Sequence, residues 1–331
     1  MILALDRRRV RQLLLASTAA MLVGASQAAS AGGGGAISPV GWRYTIEGDY
    51  VMWSPNTDLA WGTQDEARTD GLRSRGWGGA FSVGWHPEDM GPWDFVLGGR
   101  FEQSNRKSVS GTWSGDDFPT NDGGDANFRE RHIAVDFEVG REIGIGNWGM
   151  QGADLRVHGG VRFAQFNSQT NFRTHEAEIE TTPTGTESCV PTTPCLAVGK
   201  IERRFSGAGP RFGWNFSTPI GDGGGGPFGI DFNGAAAALF GERVTEWRFS
   251  TFESVKEKPN LDSAKFTIVP DVEASLALTW RLSPNSKLAL GYRVDAAWNT
   301  TDFGWPGSED FSGDSNRVTH GAFISWTQHL N

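Results

Sequence analysis

The chain has 331 residues, a formal net charge of −9, 45 glycines, 14 tryptophans and 21 phenylalanines against three tyrosines. The acidic balance argues against nucleic acid as a partner, because phosphates need Lys and Arg to displace their counterions. So much glycine and aromatic content, with 38% hydrophobic residues spread along the chain, points to strands and turns rather than a helical enzyme.

Residues 1–28 read as a secretory signal peptide. Arg7, Arg8, Arg9 and Arg11 precede a short apolar run, "LLLASTAAMLVG", and small residues follow up to Ala28. Its loss would take the net charge to −12, since the segment carries those four arginines and Asp6. Beyond it no stretch approaches the roughly 20 apolar residues of a spanning helix. Residues 29–41 form a short glycine-rich segment, and 42–331 carry one repeating pattern.

That pattern is period two, the signature of a strand with one greasy face. In "GWRYTIEGDYVMW", Trp42, Tyr44, Ile46, Tyr50 and Met52 alternate with Arg43, Thr45, Glu47 and Asp49. Trp53 falls in the charged phase and is expected above a membrane. Trp77, Phe81, Val83 and Trp85 oppose Gly78, Ala80, Ser82 and His86. Trp93, Phe95, Leu97 and Phe101 oppose Asp94, Arg100, Glu102 and Ser104. Ile133, Val135, Phe137 and Val139 oppose Asp136 and Glu138, and Leu155, Val157, Val161 and Phe163 oppose Arg156, His158 and Arg162.

The second half continues the alternation. Phe212, Trp214 and Phe216 oppose Arg211 and Asn215, with Pro210 marking a bulge or register break, since proline cannot donate to the ladder. Phe228, Ile230, Phe232, Ala236, Ala238 and Phe240 share a phase. Val272, Leu276, Leu278 and Trp280 oppose Asp271, Glu273, Ser275 and Arg281, and Leu288, Leu290, Tyr292 and Val294 oppose Arg293 and Asp295. "RVTHGAFISWTQHL" is the tenth candidate, its faces less clearly sorted.

Long and short gaps alternate between these ten strands. Residues 54–76, 105–129, 169–200, 243–263 and 300–315 are long, whereas 87–92, 144–153, 217–227 and 283–286 are short. A soluble sandwich has no reason to collect every long connection at one end. A bacterial outer-membrane barrel does, with short periplasmic turns and longer external loops. The expected fold is therefore an all-β, antiparallel up-and-down transmembrane barrel of about ten strands, with twelve as the alternative count. Closure leaves no backbone unpaired in hydrocarbon. Trp42, Trp77, Trp85, Trp93, Trp280, Trp298 and Trp326 near strand ends fit two aromatic girdles.

Several stretches resemble the pore-forming outer-membrane proteins related to the Legionella major outer membrane protein. They are "GVRFAQFN", "GAGPRFGWNFSTPIG", "GAAAALFG", "VPDVEASLALTWRL", "LALGYRVDAAWN" and "THGAFISW", in the family's order, with a "GDYVMWSP" opening. The resemblance implies an outer-membrane β-barrel with pore activity and offers no catalytic residues. Such barrels commonly finish on an aromatic residue; here the sequence ends "WTQHLN", leaving Trp326 and Leu330 as candidates for that signal.

The charged face assigns the pore-lining candidates: Glu47, Asp49, Arg100, Asp136, Glu138, Arg156 and Arg162, then Arg211, Asp271, Glu273, Arg281, Arg293 and Asp295. With both signs present, they either line a water-filled bore and bias which ions and small hydrophilic solutes pass, or pair across it and fill it. In the second case the barrel is an anchor whose external loops bind ligands. Cys189 and Cys195 in "SCVPTTPC" suit a loop disulfide in an oxidising compartment, and no neighbouring His or Cys completes a metal site. "DDFPTNDGGDAN", residues 116–127, lacks EF-hand spacing and reads as a solvated loop; "GDGGGGP" lacks the Lys and Ser/Thr of a phosphate loop. His158 and His320 are strand histidines without a recognisable nucleophile setting. No cofactor or enzymatic activity is expected; the expected partners are outer-membrane lipid and small solutes, with oligomerisation left open.

Overall fold

The computed structural model describes residues 40–53, 74–115, 118–144, 153–176, 195–221, 226–251, 261–303 and 313–330. The proposed leader, Cys189 and most of the longest connections lie outside them. Eleven strand segments are present: β1 (Gly41–Trp53), β2 (Ser74–His86), β3 (Trp93–Ser104), β4 (Lys107–Gly115), β5 (Phe118–Gly144), β6 (Asp154–Glu176), β7 (Cys195–Pro219), β8 (Phe228–Thr251), β9 (Leu261–Ser283), β10 (Ser286–Phe303) and β11 (Gly313–Leu330).

All pairings are antiparallel, and β11 closes on β1. The lower half of β5 pairs with β3 and its upper half with β4. Segments β3 and β4 are thus one stave interrupted at Asn105–Arg106, and the closed wall has ten staves, as the alternation implies. Stepping between directly paired residues from Arg131 on β5 passes through Gln103, Trp77, Tyr50, Ala322, Tyr292, Leu276, Phe232, Phe216 and Leu155. It returns to β5 at Ile143, twelve residues further on. Ten strands with that stagger tilt by about 40° and enclose a backbone radius of about 10 Å. Long side chains from facing walls can meet across such a bore.

The period-two pattern sorts as expected. Trp42, Ile46, Tyr50, Trp77, Trp85, Leu97, Phe137, Val161, Phe212, Leu276, Leu290 and Ile324 face outward and are exposed. Toward the short-turn end, outward aromatics gather into a girdle: Trp42 stacks on Trp85 at 6.1 Å, Trp85 on Phe95 at 5.8 Å and Phe228 on Trp280 at 6.2 Å between centroids. Trp77 and Trp298 lie toward the other end. Trp53 points into the barrel at the level of Ser74 and Thr319, 1% exposed, because it continues the inward phase of Val51.

Three expectations change. Where described, the long polar gaps are largely strand: β5 to β8 run for 23 to 27 residues, where about 9–11 suffice to cross hydrocarbon. Residues 118–127, read as loop, pair with β4. Pro210 causes neither bulge nor register break; the β7–β8 pairing skips Gly209 and Pro210 and resumes in the same register at Arg211–Ala237. The missing N–H is absorbed as a local gap in one ladder, while Pro210 still stands opposite Val161 of β6. A bulge does occur in β10, between Ala297 and Thr301, with Asn299 at φ 62°, a conformation asparagine tolerates.

The polarity of the wall inverts partway up. On β6 the outward residues Leu155, Val157, Val161 and Phe163 give way to Gln165, Asn167, Gln169 and Asn171, while the inward residues change from Arg156, His158 and Arg162 to Ala164 and Phe166. On β7 the outward series goes from Phe216, Trp214 and Phe212 to Arg204, Glu202 and Lys200, and the inward series from Arg211 to Phe205 and Ile201. Below the crossover the barrel is greasy outside and charged inside. Above it, the outward face is polar and the interior mixes apolar side chains with buried Thr170, Arg203, Arg243 and Thr245.

Candidate functional site: the interior of the barrel

Below the crossover, inward side chains form a continuous layer of ion pairs. Arg162 on β6 makes a bidentate contact with Asp136 on β5, Nε–Oδ1 2.8 Å and Nη2–Oδ2 2.9 Å. It also reaches β9, donating to Asp271 at 2.5 Å and Glu273 at 3.0 Å. Arg211 on β7 pairs with Glu138 and Glu273. Arg100 on β3 donates to Asp295 on β10 at 2.8 Å and lies 3.7 Å from Glu273. Glu273 therefore sits among three arginines from three staves. Since β3 and β9 are five staves apart in a ring of ten, the Arg100–Glu273 pair spans the full bore.

Two satellites flank this hub. Arg293 on β10 forks onto Glu47 of β1 at 2.6 and 3.0 Å, lies 3.4 Å from Asp49, and covers the Phe323 ring at 4.7 Å. Nearer the short-turn end, Arg156 donates to Asp94 at 2.9 Å, to Glu138 at 3.3 Å and to Asn215 at 3.0 Å. Gly140 makes room for this group, because a Cβ there would run into Arg156 Nε and Asp94 Oδ1. Lys287 pairs with Asp231 at 3.1 Å close to the turn end.

Nine of the thirteen sequence-assigned residues thus enter one connected interior network, and Glu47, Asp49 and Arg293 form a second buried group beside it. Arg281 joins neither; it is half-buried at the short-turn end of β9, beside Ser217 and Lys287. A cavity lies against the hub, lined by Arg100, Glu138, His158, Arg211, Glu273 and Arg293. Its volume is about 30 Å³, room for one or two waters.

A second layer lies above. Ala164, Phe166, Phe205, Ala237, Leu239, Val269 and Ala297 form a buried apolar cluster from five successive staves. His132 stacks on Phe166 with centroids 4.6 Å apart, its Nδ1 3.3 Å from Glu102. Arg317 on β11, five staves from β6, lays its guanidinium 5.5 Å from the Phe166 centroid and donates to Glu130 at 2.5 Å. Opposite walls therefore meet at this level too. In the β10 bulge, the Asn299 carbonyl accepts from Arg243 at 3.3 Å.

Sequence reasoning missed this upper layer, because its outward residues are polar and its inward ones mix apolar side chains with charged and hydroxyl groups, so the period-two contrast fades. The signal is in "FAQFNSQ", where Phe163 and Phe166 lie in opposite phases. Asp94 and Glu102 belonged to a recognised charged face yet were not assigned, and Asp231 lies in the phase opposite the recognised apolar one of β8. Of the two strand histidines singled out in the sequence, His158 lies inside with Nδ1 3.1 Å from Glu138. His320 faces outward and pairs with the Tyr292 hydroxyl at 2.5 Å. No group of metal-ligating side chains occurs among the described residues.

A family model described as the Legionella pneumophila major outer membrane protein precursor matches residues 35–305. No curated protein matches the sequence. Among solved structures, the outer membrane protease OmpT of Escherichia coli is similar at 10% identity and a TM-score of 0.49, over 89% of this chain and 98% of that one. The translocator domain of the autotransporter NalP from Neisseria meningitidis is similar at 10% identity and a TM-score of 0.38, over 98% and 95%. A major outer membrane protein from Thermus thermophilus gives 9% and 0.32, over 87% and 99%.

Proposed function

The chain belongs to the family of the Legionella pneumophila major outer membrane protein, and from that premise we propose that it is a narrow, gated outer-membrane channel for ions and small hydrophilic solutes. One observation carries the reading: the bore is crossed by ion pairs whose members have interchangeable partners. Glu273 has Arg100, Arg162 and Arg211 in reach, and Arg162 has Asp136, Asp271 and Glu273. Buried ion pairs are a poor device for stability, since well-packed apolar groups often do as well or better. They are a good device for a polar path that opens by exchanging partners. The apolar layer around Phe166 adds a constriction of the kind that closes by excluding water.

Ion pairs cross the bore at one layer, and Arg317 meets Phe166 across it at the other, so on this reading passage requires rearrangement at both layers. The reading is non-enzymatic, with export through the leader at residues 1–28 and the barrel spanning 42–331. Potassium efflux from vesicles holding the refolded protein tests it. Wild-type protein should leak slowly, and Glu273→Gln several-fold faster. A barrel that stays tight in the wild type, in Glu273→Gln and in Phe166→Ala would contradict a channel.

A second reading has its own support. The extension of β5 to β8 far beyond membrane thickness suits an anchor that displays a tall external wall to ligands. Ligand binding lost on trimming those strand tops, with the lower barrel intact, would favour it.

A further inference from the structure

Just above the external end of the apolar belt, the outward face of β2 to β7 carries a group of arginines. Arg75 on β2 and Arg131 on β5 stand at the crossover, Arg129 one outward position higher, and Arg204 on β7 in the row that pairs Arg131 with Asn167 and Asn167 with Arg204. Arg75, Arg129 and Arg131 are exposed and Arg204 is half-buried. None of the four has an ion-pair partner among the described residues.

Between Arg75 and Arg204 the outward positions of β3 and β6 at this height are carboxamides, and the acid beside them, Glu202 opposite Gln169 on β7, is engaged by Lys200. Gln103 separates Trp77 from Arg131 along one row, and Gln165, Asn167 and Gln169 fill the outward positions of β6. Below them lie Phe101, Ile133, Val161 and Phe163, whose outward faces belong to the apolar belt. Read upward from hydrocarbon, the surface offers acyl contacts, then guanidinium groups at headgroup depth, then amides able to donate to and accept from hydroxyls.

We propose that this face binds a phosphorylated glycolipid of the outer leaflet, with Arg75, Arg129, Arg131 and Arg204 contacting its phosphates and the β6 carboxamides its sugar hydroxyls. Arginine suits the task because its planar fork matches phosphate oxygens bidentately. The opposite boundary of the belt differs: Arg141, outward at the short-turn end of β5, is occupied over the Trp93 ring at 5.5 Å. The asymmetry fits a lipid confined to one leaflet.

The test uses the full folded protein in detergent with diphosphoryl lipid A as the probe, read as the rise in unfolding temperature and by titration. Wild type should bind; Arg75→Gln with Arg129→Gln and Arg131→Gln should bind at least about tenfold more weakly. Arg141→Gln should bind as wild type. Unchanged affinity in the triple variant would overturn the proposal. A wild-type response to lipid A stripped of phosphate, or to phosphatidylglycerol, equal to that with diphosphoryl lipid A would also overturn it, and that comparison needs no variant to fold.

Discussion

Glu273 on β9 and Arg100 on β3 meet across the whole width of the barrel, Oε2 to Nη1 at 3.7 Å. The pairing does not follow from strand adjacency; the two side chains reach inward from walls five staves apart. The same carboxylate also serves Arg162 and Arg211. Its removal therefore leaves three buried guanidinium groups short of one acceptor.

Glu273→Ala should cost about 3–5 kcal/mol, the usual penalty for breaking a buried pair from one side. Glu273→Gln keeps the volume and should cost less. Denaturant-induced unfolding of the refolded barrel, followed by mobility change on electrophoresis, measures both.

Phe166→Ala removes the ring on which His132 stacks and over which Arg317 lies. A loss of about 3–5 kcal/mol is expected from the cavity. Phe166→Leu should lose less, and the same unfolding assay ranks the two.

Gly140 admits the Arg156–Asp94 pair, so Gly140→Val should force that pair apart and destabilise by about 1–3 kcal/mol or more. Gly48, with nothing near the position of an added Cβ, should accept alanine with little change. Comparing the two unfolding midpoints separates crowding from loss of glycine itself.

The polarity inversion fixes depth. Val161→Arg places a charge on the outward face within the belt and should cost about 2–4 kcal/mol, falling toward zero for Gln169→Arg above it. In cells, Gln169→Cys should react with a membrane-impermeant maleimide and Val161→Cys should not.

The membrane-level wall was legible because lipid on one side and paired charges on the other impose period two over whole strands. Glu47, Arg100, Asp136, Arg162, Glu273 and Arg293 each fell in the inward phase on that ground alone. Their partners were not legible, since a pair such as Arg100–Glu273 depends on stave order and stagger rather than local spacing. The upper strands were lost for a different reason. Above the belt, Gln165, Asn167 and Gln169 face water, so outward hydrophobicity ends where lipid ends, although backbone pairing continues to Glu176. Pro210 misled because a prolyl gap in one ladder need not shift the register.

Single-channel recording in a planar bilayer, comparing wild type with Glu273→Gln, tests the central claim most directly. A closed wild-type baseline with brief, small steps, and longer or larger openings in Glu273→Gln, is the predicted result. Large, sustained wild-type steps that the substitution leaves unchanged would contradict a bore held shut by the Glu273 layer.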